Sequence, residues 1–275
     1  MVTRVAAPVV PSFLTLAGHP VRWQLLVALA GSDLQVGELV DAVGEPQNLV
    51  SYHLAQLRAG GLVSSHKSSF DGRAAYYRVH LDRCSALLSA TGAALHPALA
   101  GGSSVAVVAA PNPRVRSSVL FVCTGNGTRS QIAEALLREM AGDRCEVASA
   151  GSHPKPIHQN AVRVLAEMGI DISGATSKPL TQFDGHHFDH VVTLCDKVRE
   201  ICPDFPGQRR AAHWSIEDPS RLPGSLRATL PAFRAVAADL QVRLGHLVAS
   251  IDSDVNSTTT VNSTTTVKKE TPNGR

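Results

Sequence analysis

The loop Cys123-Thr124-Gly125-Asn126-Gly127-Thr128-Arg129-Ser130 constrains this chain more than any other stretch. Val119-Leu120-Phe121-Val122 before it is an apolar run of strand type, and Gln131–Leu137 after it repeats apolar residues at helical spacing. The order strand, glycine-containing loop, helix aims the backbone N–H groups from Thr124, Gly125, Asn126, Gly127 and Thr128 at one point beside a helix N-terminus, where the dipole favours negative charge. A tetrahedral oxyanion fits that point, and the planar fork of Arg129 can grip two of its oxygens. The same field acts on sulfur. A thiol so placed has its pKa lowered from about 8.5 into a range of roughly 3.5–7.5, so Cys123 is expected to be largely thiolate at neutral pH, with Ser130 donating a further hydrogen bond to it.

At 275 residues the chain is long enough for two domains. A net charge of +3, with 44% hydrophobic and 18% charged residues, describes an ordinary soluble protein. No run of 18 apolar residues occurs and no charged start leads into a long apolar core, so neither a membrane span nor a signal peptide is expected, and the protein reads as cytoplasmic. Five cysteines, at 84, 123, 145, 195 and 202, are an odd number on a sizeable chain. That argues for reduced, reactive thiols over a disulfide framework.

Taken in order, residues 1–11 are apolar and proline-bearing without periodicity, a flexible arm. Helical patterns follow at Ser12–Ala17, Pro20–Leu29, Val36–Val43 and Gln47–Ala59, with Val50, Leu54 and Leu57 facing the core. Gly60-Gly61 ends the last of these. Leu62–Lys67 and Arg73–Val79 then read as strands around the Asp71-Gly72 turn, and a further helix spans about Asp82 to Ala94. Helices followed by a β-hairpin make a mainly-α winged helix-turn-helix domain over 12–96, its last helix suited to packing against a second copy.

The segments Leu16–Arg22, Val36–Leu39, Val50–Leu54 and Ala59–Val63, with Tyr76-Tyr77-Arg78 in the wing, resemble the ArsR/SmtB family of bacterial repressors over about residues 12–95. The resemblance implies a homodimer formed through this domain, with recognition helices entering successive major grooves of operator DNA about 34 Å apart. Gln47, Asn48, Ser51, Tyr52 and His53 would then lie at or near base edges, and Lys67, Arg73 and Arg78 would meet phosphates. His53 can equally be a satisfied core histidine, and Tyr76 and Tyr77 read as wing packing. Residues 1–100 hold seven Lys/Arg against six Asp/Glu, a weak electrostatic signal that leaves open a domain used only for dimerisation. The family's arsenite-sensing cysteine pair on the helix before the recognition helix is missing from Val36–Val43, and Cys84, the only thiol in this half, reads as structural.

Residues 97–116 look like a linker of small residues, glycine and proline, and the polar tail 251–275 is expected to be disordered. Between them, 117–250 alternates strands and helices, which implies an α/β domain with a central parallel sheet and its site at the carboxyl ends of the strands. Its last helix is expected from about Ser225 to Ser250. Cys195 ends a strand and Cys202 lies seven residues on. If that segment is helical, its rise of about 10.5 Å exceeds the roughly 6.8 Å span of a disulfide, so joining the pair would require unwinding. Asp218, held extended by Pro219, can protonate a leaving oxygen.

The Cys123–Ser130 loop, Ser149-Ala150-Gly151, Gly169–Ser173, Thr176-Ser177-Lys178, Cys195 with Cys202, and Asp218-Pro219 together resemble the low-molecular-weight tyrosine phosphatase fold and, within it, the thioredoxin-coupled arsenate reductases. The resemblance implies Cys123 as nucleophile, Arg129 and Ser130 as its oxyanion and thiolate partners, Asp218 as general acid and Cys195 with Cys202 as a thiol relay. No bound cofactor is implied; thioredoxin or another thiol reductant would supply electrons. Lys178 stands where some such reductases carry a potassium-binding acid, so no metal is expected. Cys145 reads as structural. A phosphotyrosine phosphatase would use Cys123, Arg129 and Asp218 in the same way, and a regulator that only senses an oxyanion or redox state would keep the same loop.

Overall fold

A computed structural model of the protein describes residues 10–96, 99, 117–201 and 210–264. Residues 1–9 of the expected arm, nearly all of the expected linker, Cys202 with residues 203–209, and the tail from 265 onward lie outside the described residues.

The amino-terminal half opens with α1 (Ser12–Ala17) and α2 (Pro20–Leu29). Pro20 takes the first position of α2, where a missing N–H costs nothing, and His19 Nδ1 accepts the Val21 N–H at 3.2 Å. A two-residue strand β1 (Leu34–Gln35) leads into α3 (Val36–Val43), whose Glu38 carboxylate accepts the Gln35 N–H at 2.8 Å and which stops at left-handed Gly44. Next come α4 (Gln47–Ala59), β2 (Val63–Lys67), β3 (Ala75–Val79) and α5 (Leu81–Leu95). Helices α1 to α4 fall on the predicted residues. The core gathers Leu25, Leu39, Val50, Leu54, Leu57 and Leu62, the α4 stripe among them as its spacing requires. β1 pairs on the free edge of β3, so the wing is a three-stranded antiparallel sheet ordered β1-β3-β2.

The second half runs β4 (Ser117–Cys123), α6 (Arg129–Ala141), β5 (Cys145–Gly151), α7 (Gln159–Glu167), β6 (His190–Thr193), α8 (Asp196–Ile201), β7 (Arg210–His213) and α9 (Leu226–Thr264). Its four strands form a parallel sheet ordered β5-β4-β6-β7, with β4 buried from Val119 to Cys123. α9 departs from expectation: it passes Ser250 and continues to Thr264, so the first part of the expected disordered tail is helical. Ile251 is in the core and Asp252 pairs with Arg144 at 2.8 Å, which anchors the helix beyond Ser250. Extending an anchored helix needs no new nucleus, even through Ser and Thr.

The two halves pack on each other. Asp33, in the loop before β1, is 3% exposed. Its carboxylate accepts from Nη1 and Nη2 of Arg243 on α9 at 3.1 Å each and from the Ser215 N–H at 2.9 Å. The Asp33 N–H in turn donates to the His213 carbonyl at 2.7 Å.

Candidate active site

Cys123, 2% exposed, is the last residue of β4, and the loop after it turns straight into α6. Asn126 makes the turn with φ 45°, the only positive φ among described non-glycine residues and one that asparagine tolerates. Its N–H donates to Cys123 Sγ at 3.2 Å, and Ser130 Oγ lies 3.0 Å from the same sulfur. The Asn126 amide, fully buried, ties the loop down: Nδ2 donates to Ser130 Oγ at 2.9 Å and Ser149 Oγ at 2.7 Å, while Oδ1 accepts from the Lys178 N–H at 2.7 Å and Gln131 Nε2 at 3.0 Å. Gly151, at the end of β5, lets the loop lie against the strand. A Cβ there would stand 2.8 Å from the Asn126 nitrogen and 2.9 Å from the Thr124 oxygen.

Arg129, the first residue of α6, is buried. Nη1 donates to the carbonyls of Ile216 at 2.8 Å and Leu194 at 3.2 Å, and Nη2 to Asp218 Oδ2 at 2.8 Å. Nε, also buried, has no hydrogen-bond partner among the described residues, which leaves it as a donor for an oxyanion in the loop. Burial alone would raise the Asp218 carboxyl, but the charge of Arg129 and the hydrogen bonds from Ser220 outweigh it and hold the group below its ordinary value. Asp218 is therefore a carboxylate at neutral pH.

Cys195 follows β6 and is 3% exposed, with Sγ 3.2 Å from Thr124 Oγ1 of the anion loop. Burial pushes its thiol up, against the opposing pull of Arg129 and Thr124; the charge of Cys123 adds to the rise. The structure thus brings Cys123, Arg129, Ser130, Asp218 and Cys195 together around one loop. Cys202 lies outside the described residues. Cys84 and Cys145 are half-buried against the two cores, and burial raises both thiols.

Sequence reasoning passed over the layer behind the loop. Glu134 accepts from Lys178 Nζ at 3.0 Å and from Ser149, whose hydroxyl meets the Asn126 amide. The short motifs around Ser149 and Lys178 were the available signal, without a role attached.

On the other half, Gln47, Asn48, Ser51 and Tyr52 are exposed along α4, and Lys67 and Arg73 are exposed on the wing. Two of the expected DNA contacts are engaged within the chain, His53 taking the core alternative that the sequence left open. His53 is 3% exposed and stacks on His19 with ring centroids 4.3 Å apart, because α4 turns it toward α2. Arg78 is ion-paired with Asp239 of α9, since the wing packs on the second domain. Tyr76 is buried in the wing, as expected. No helix among the described residues is long and apolar enough to cross a membrane.

Residues 118–257 match the low molecular weight phosphotyrosine protein phosphatase family, and residues 19–65 match the arsR family of bacterial regulatory proteins. Among similar curated proteins, an arsenate reductase of Halalkalibacterium halodurans and one of Bacillus subtilis are each 36% identical over 126 residues, 46% of this chain and 91% of the relative. A glutaredoxin arsenate reductase of Synechocystis is 33% identical over 133 residues, 48% of this chain and 97% of the relative. A solved arsenate reductase in a phosphate-binding state is 32% identical, covering 49% of this chain and 98% of that one, with a TM-score of 0.44. The chain belongs to the low molecular weight phosphotyrosine protein phosphatase family through its second half, joined to a helix-turn-helix domain of the arsR family of bacterial regulators.

Proposed function

We propose that the protein is a repressor fused to an arsenate reductase, and that Cys123, Cys195 and Cys202 carry the reduction as a thiol relay. The observation that carries this reading is the contact of Cys195 Sγ with Thr124 Oγ1 at 3.2 Å, which places a second thiol on the wall of the anion loop. A phosphatase needs only the first thiol.

In this mechanism the loop amides and Arg129 Nε hold arsenate, and Cys123 Sγ attacks arsenic. An oxyanion seated beside Asp218 adds a like charge, which raises the carboxyl so that it takes up the proton it then gives to the departing water. Cys195 thiolate next attacks Cys123 Sγ. The S–S bond forms and the S–As bond breaks, its electron pair leaving with arsenic, which is reduced from As(V) to As(III) and departs as arsenite. Arsenic acid and two thiols thus become arsenous acid, one disulfide and one water. Cys202 exchanges into the Cys123–Cys195 bond, freeing Cys123, and thioredoxin or another thiol reductant, glutaredoxin among them, reduces the Cys195–Cys202 disulfide.

The amino-terminal domain binds operator DNA as a homodimer. Support comes from the exposed face of α4 and from α5, none of whose residues is buried within the chain and which exposes Leu88 and Leu95. The phosphatase reading is disfavoured by the lack of tyrosine in 117–250: all three tyrosines, 52, 76 and 77, lie in the other half.

The test is arsenate-dependent oxidation of reduced thioredoxin or glutaredoxin by the full chain and by Cys123→Ser, Cys195→Ser and Cys202→Ser, beside an aryl phosphate control. Turnover lost in all three variants is expected. Full turnover in Cys202→Ser, or aryl phosphate hydrolysis as the sole activity, would defeat the relay.

A further inference from the structure

The wing hairpin is seated on the helix that starts at the relay cysteine. α8 begins at Asp196, the residue after Cys195, and its first turn hangs from the Cys195 carbonyl, which accepts the N–H groups of Val198 at 3.1 Å and Arg199 at 3.2 Å. Asp196, 2% exposed, accepts the Ser69 N–H at 2.6 Å and the Ser69 hydroxyl at 2.8 Å from the tip of the wing. One turn on, Glu200 accepts the Ser68 hydroxyl at 2.7 Å and the Tyr76 hydroxyl at 3.3 Å. Ser68 Oγ also accepts the N–H groups of Phe70 at 3.1 Å and Asp71 at 3.0 Å, so the residue held by α8 is the one that shapes the hairpin turn. A six-residue helix has no stability of its own. Its place is set by the Cys195 carbonyl at one end, by Val198 in the core, by the bonds of Asp196 to His213 at 3.2 Å and to Ser215, by the Arg199–Glu38 pair at 2.6 Å and by these bonds to the wing.

We propose that the wing reads the oxidation state of Cys195 through α8, so that turnover of arsenate unseats the hairpin and weakens operator binding. This rests on the reductase reading above. In the thiol state Cys195 Sγ is held by Thr124. In the disulfide with Cys123 that bond is lost and the sulfur must close to about 2.05 Å of its partner, with Cα atoms no more than about 6.8 Å apart. Cys195 turns from Thr124 to Cys123, and the first turn of α8 follows the carbonyl from which it hangs. Asp196 then leaves Ser69, and Glu200 leaves Ser68. The coupling is reciprocal by linkage: what disulfide formation takes from wing docking, wing docking takes from disulfide formation. The redox step is the one balanced above, with arsenate as oxidant.

The experiment uses the full-length Cys202→Ser protein, which stops after the first disulfide. One equivalent of arsenate is added, arsenite release is measured in the same sample, and hydrogen exchange is followed in peptides spanning 63–79 before and after. Release of arsenite with exchange at amides 68–72 about fivefold or more faster, reversed by dithiothreitol, is expected. Arsenite release with unchanged exchange overturns the coupling and leaves the reductase reading standing; no arsenite overturns both. A Ser68→Ala and Ser69→Ala double variant in the same background should release arsenite normally and exchange fast in both states. A redox-dependent change surviving in that variant would overturn the Ser68 and Ser69 contacts with α8 as the route.

Discussion

At the scale of single residues, the chemistry turns on how two thiols around one loop are treated differently. Cys123 faces an N–H and a hydroxyl, whereas Cys195 is buried with a single hydroxyl, that of Thr124, against its sulfur. Burial raises the Cys195 thiol despite Arg129 and Thr124, so in the proposed relay it would attack through a minor thiolate population at neutral pH. Below that pKa the thiolate fraction grows about tenfold per pH unit. Single-turnover arsenite release by Cys202→Ser should therefore keep rising with pH beyond the ordinary thiol range. Thr124→Val removes a group that lowers the pKa and should shift the profile to higher pH; a stopped-flow pH series on both proteins checks the direction, and an unmoved or lowered midpoint would contradict it.

The same scale shows why some of the site was legible and some was not. The strand, the glycines and the arginine separated from Cys123 by five residues announce an anion loop because each is needed at a fixed spacing. Asn126 looks there like one more loop residue. Its roles, the left-handed turn and four side-chain hydrogen bonds to Ser130, Ser149, Lys178 and Gln131, depend on partners up to 52 positions away. Likewise His53 has the periodicity of either face of α4, and only the position of His19 decides which way it points.

At the scale of elements, α8 runs from Cys195 to the wing, and Asp196 is its hub. Burial opposes the charged form of this carboxylate, but hydrogen bonds from His213, Ser215 and Ser69 more than offset it and depress the pKa. A depressed carboxylate contributes stability that is fully present above the unfolded pKa of about 3.9 and is lost as pH falls toward the folded value. Acidification from pH 5 to 3 should lower the melting temperature of the wild type more steeply than that of Asp196→Asn, which begins less stable and cannot lose this proton linkage. Parallel melting curves across that range would show that Asp196 does not carry the acid sensitivity. Helices were readable because the 3.6-residue period and their caps are local. β1 was not, since two residues hold no period and its existence depends on the edge of β3. The end of α9 was misplaced because composition after Ser250 signals disorder, while Ile251 and the Arg144–Asp252 pair anchor the helix from outside it.

At the scale of the whole molecule, the interface between the halves changes what the DNA-binding domain has left to work with. Gly31-Ser32-Asp33 reads in sequence as a helix break, and it is one, yet Asp33 is also clamped by Arg243, 210 positions away. The wing in turn gives Arg78 to Asp239, and residues 1–100 carry only seven basic against six acidic side chains. With so little positive charge free to meet phosphates, one domain should bind DNA weakly, and affinity must come from two recognition helices acting together. Linking two half-sites makes the second contact intramolecular and raises affinity by roughly 10²–10⁴ over one alone. The surface that would make the link is the outer face of α5, where Leu95 is 80% exposed and Leu88 50% exposed. Leu88→Glu with Leu95→Glu should give monomers by sedimentation, about a hundredfold or more weaker binding to a duplex taken from upstream of its own coding sequence, and unchanged arsenite release per chain. A double variant that still sediments as a dimer would place the interface elsewhere, and a monomer with full affinity would remove the argument that bivalency compensates for the missing charge.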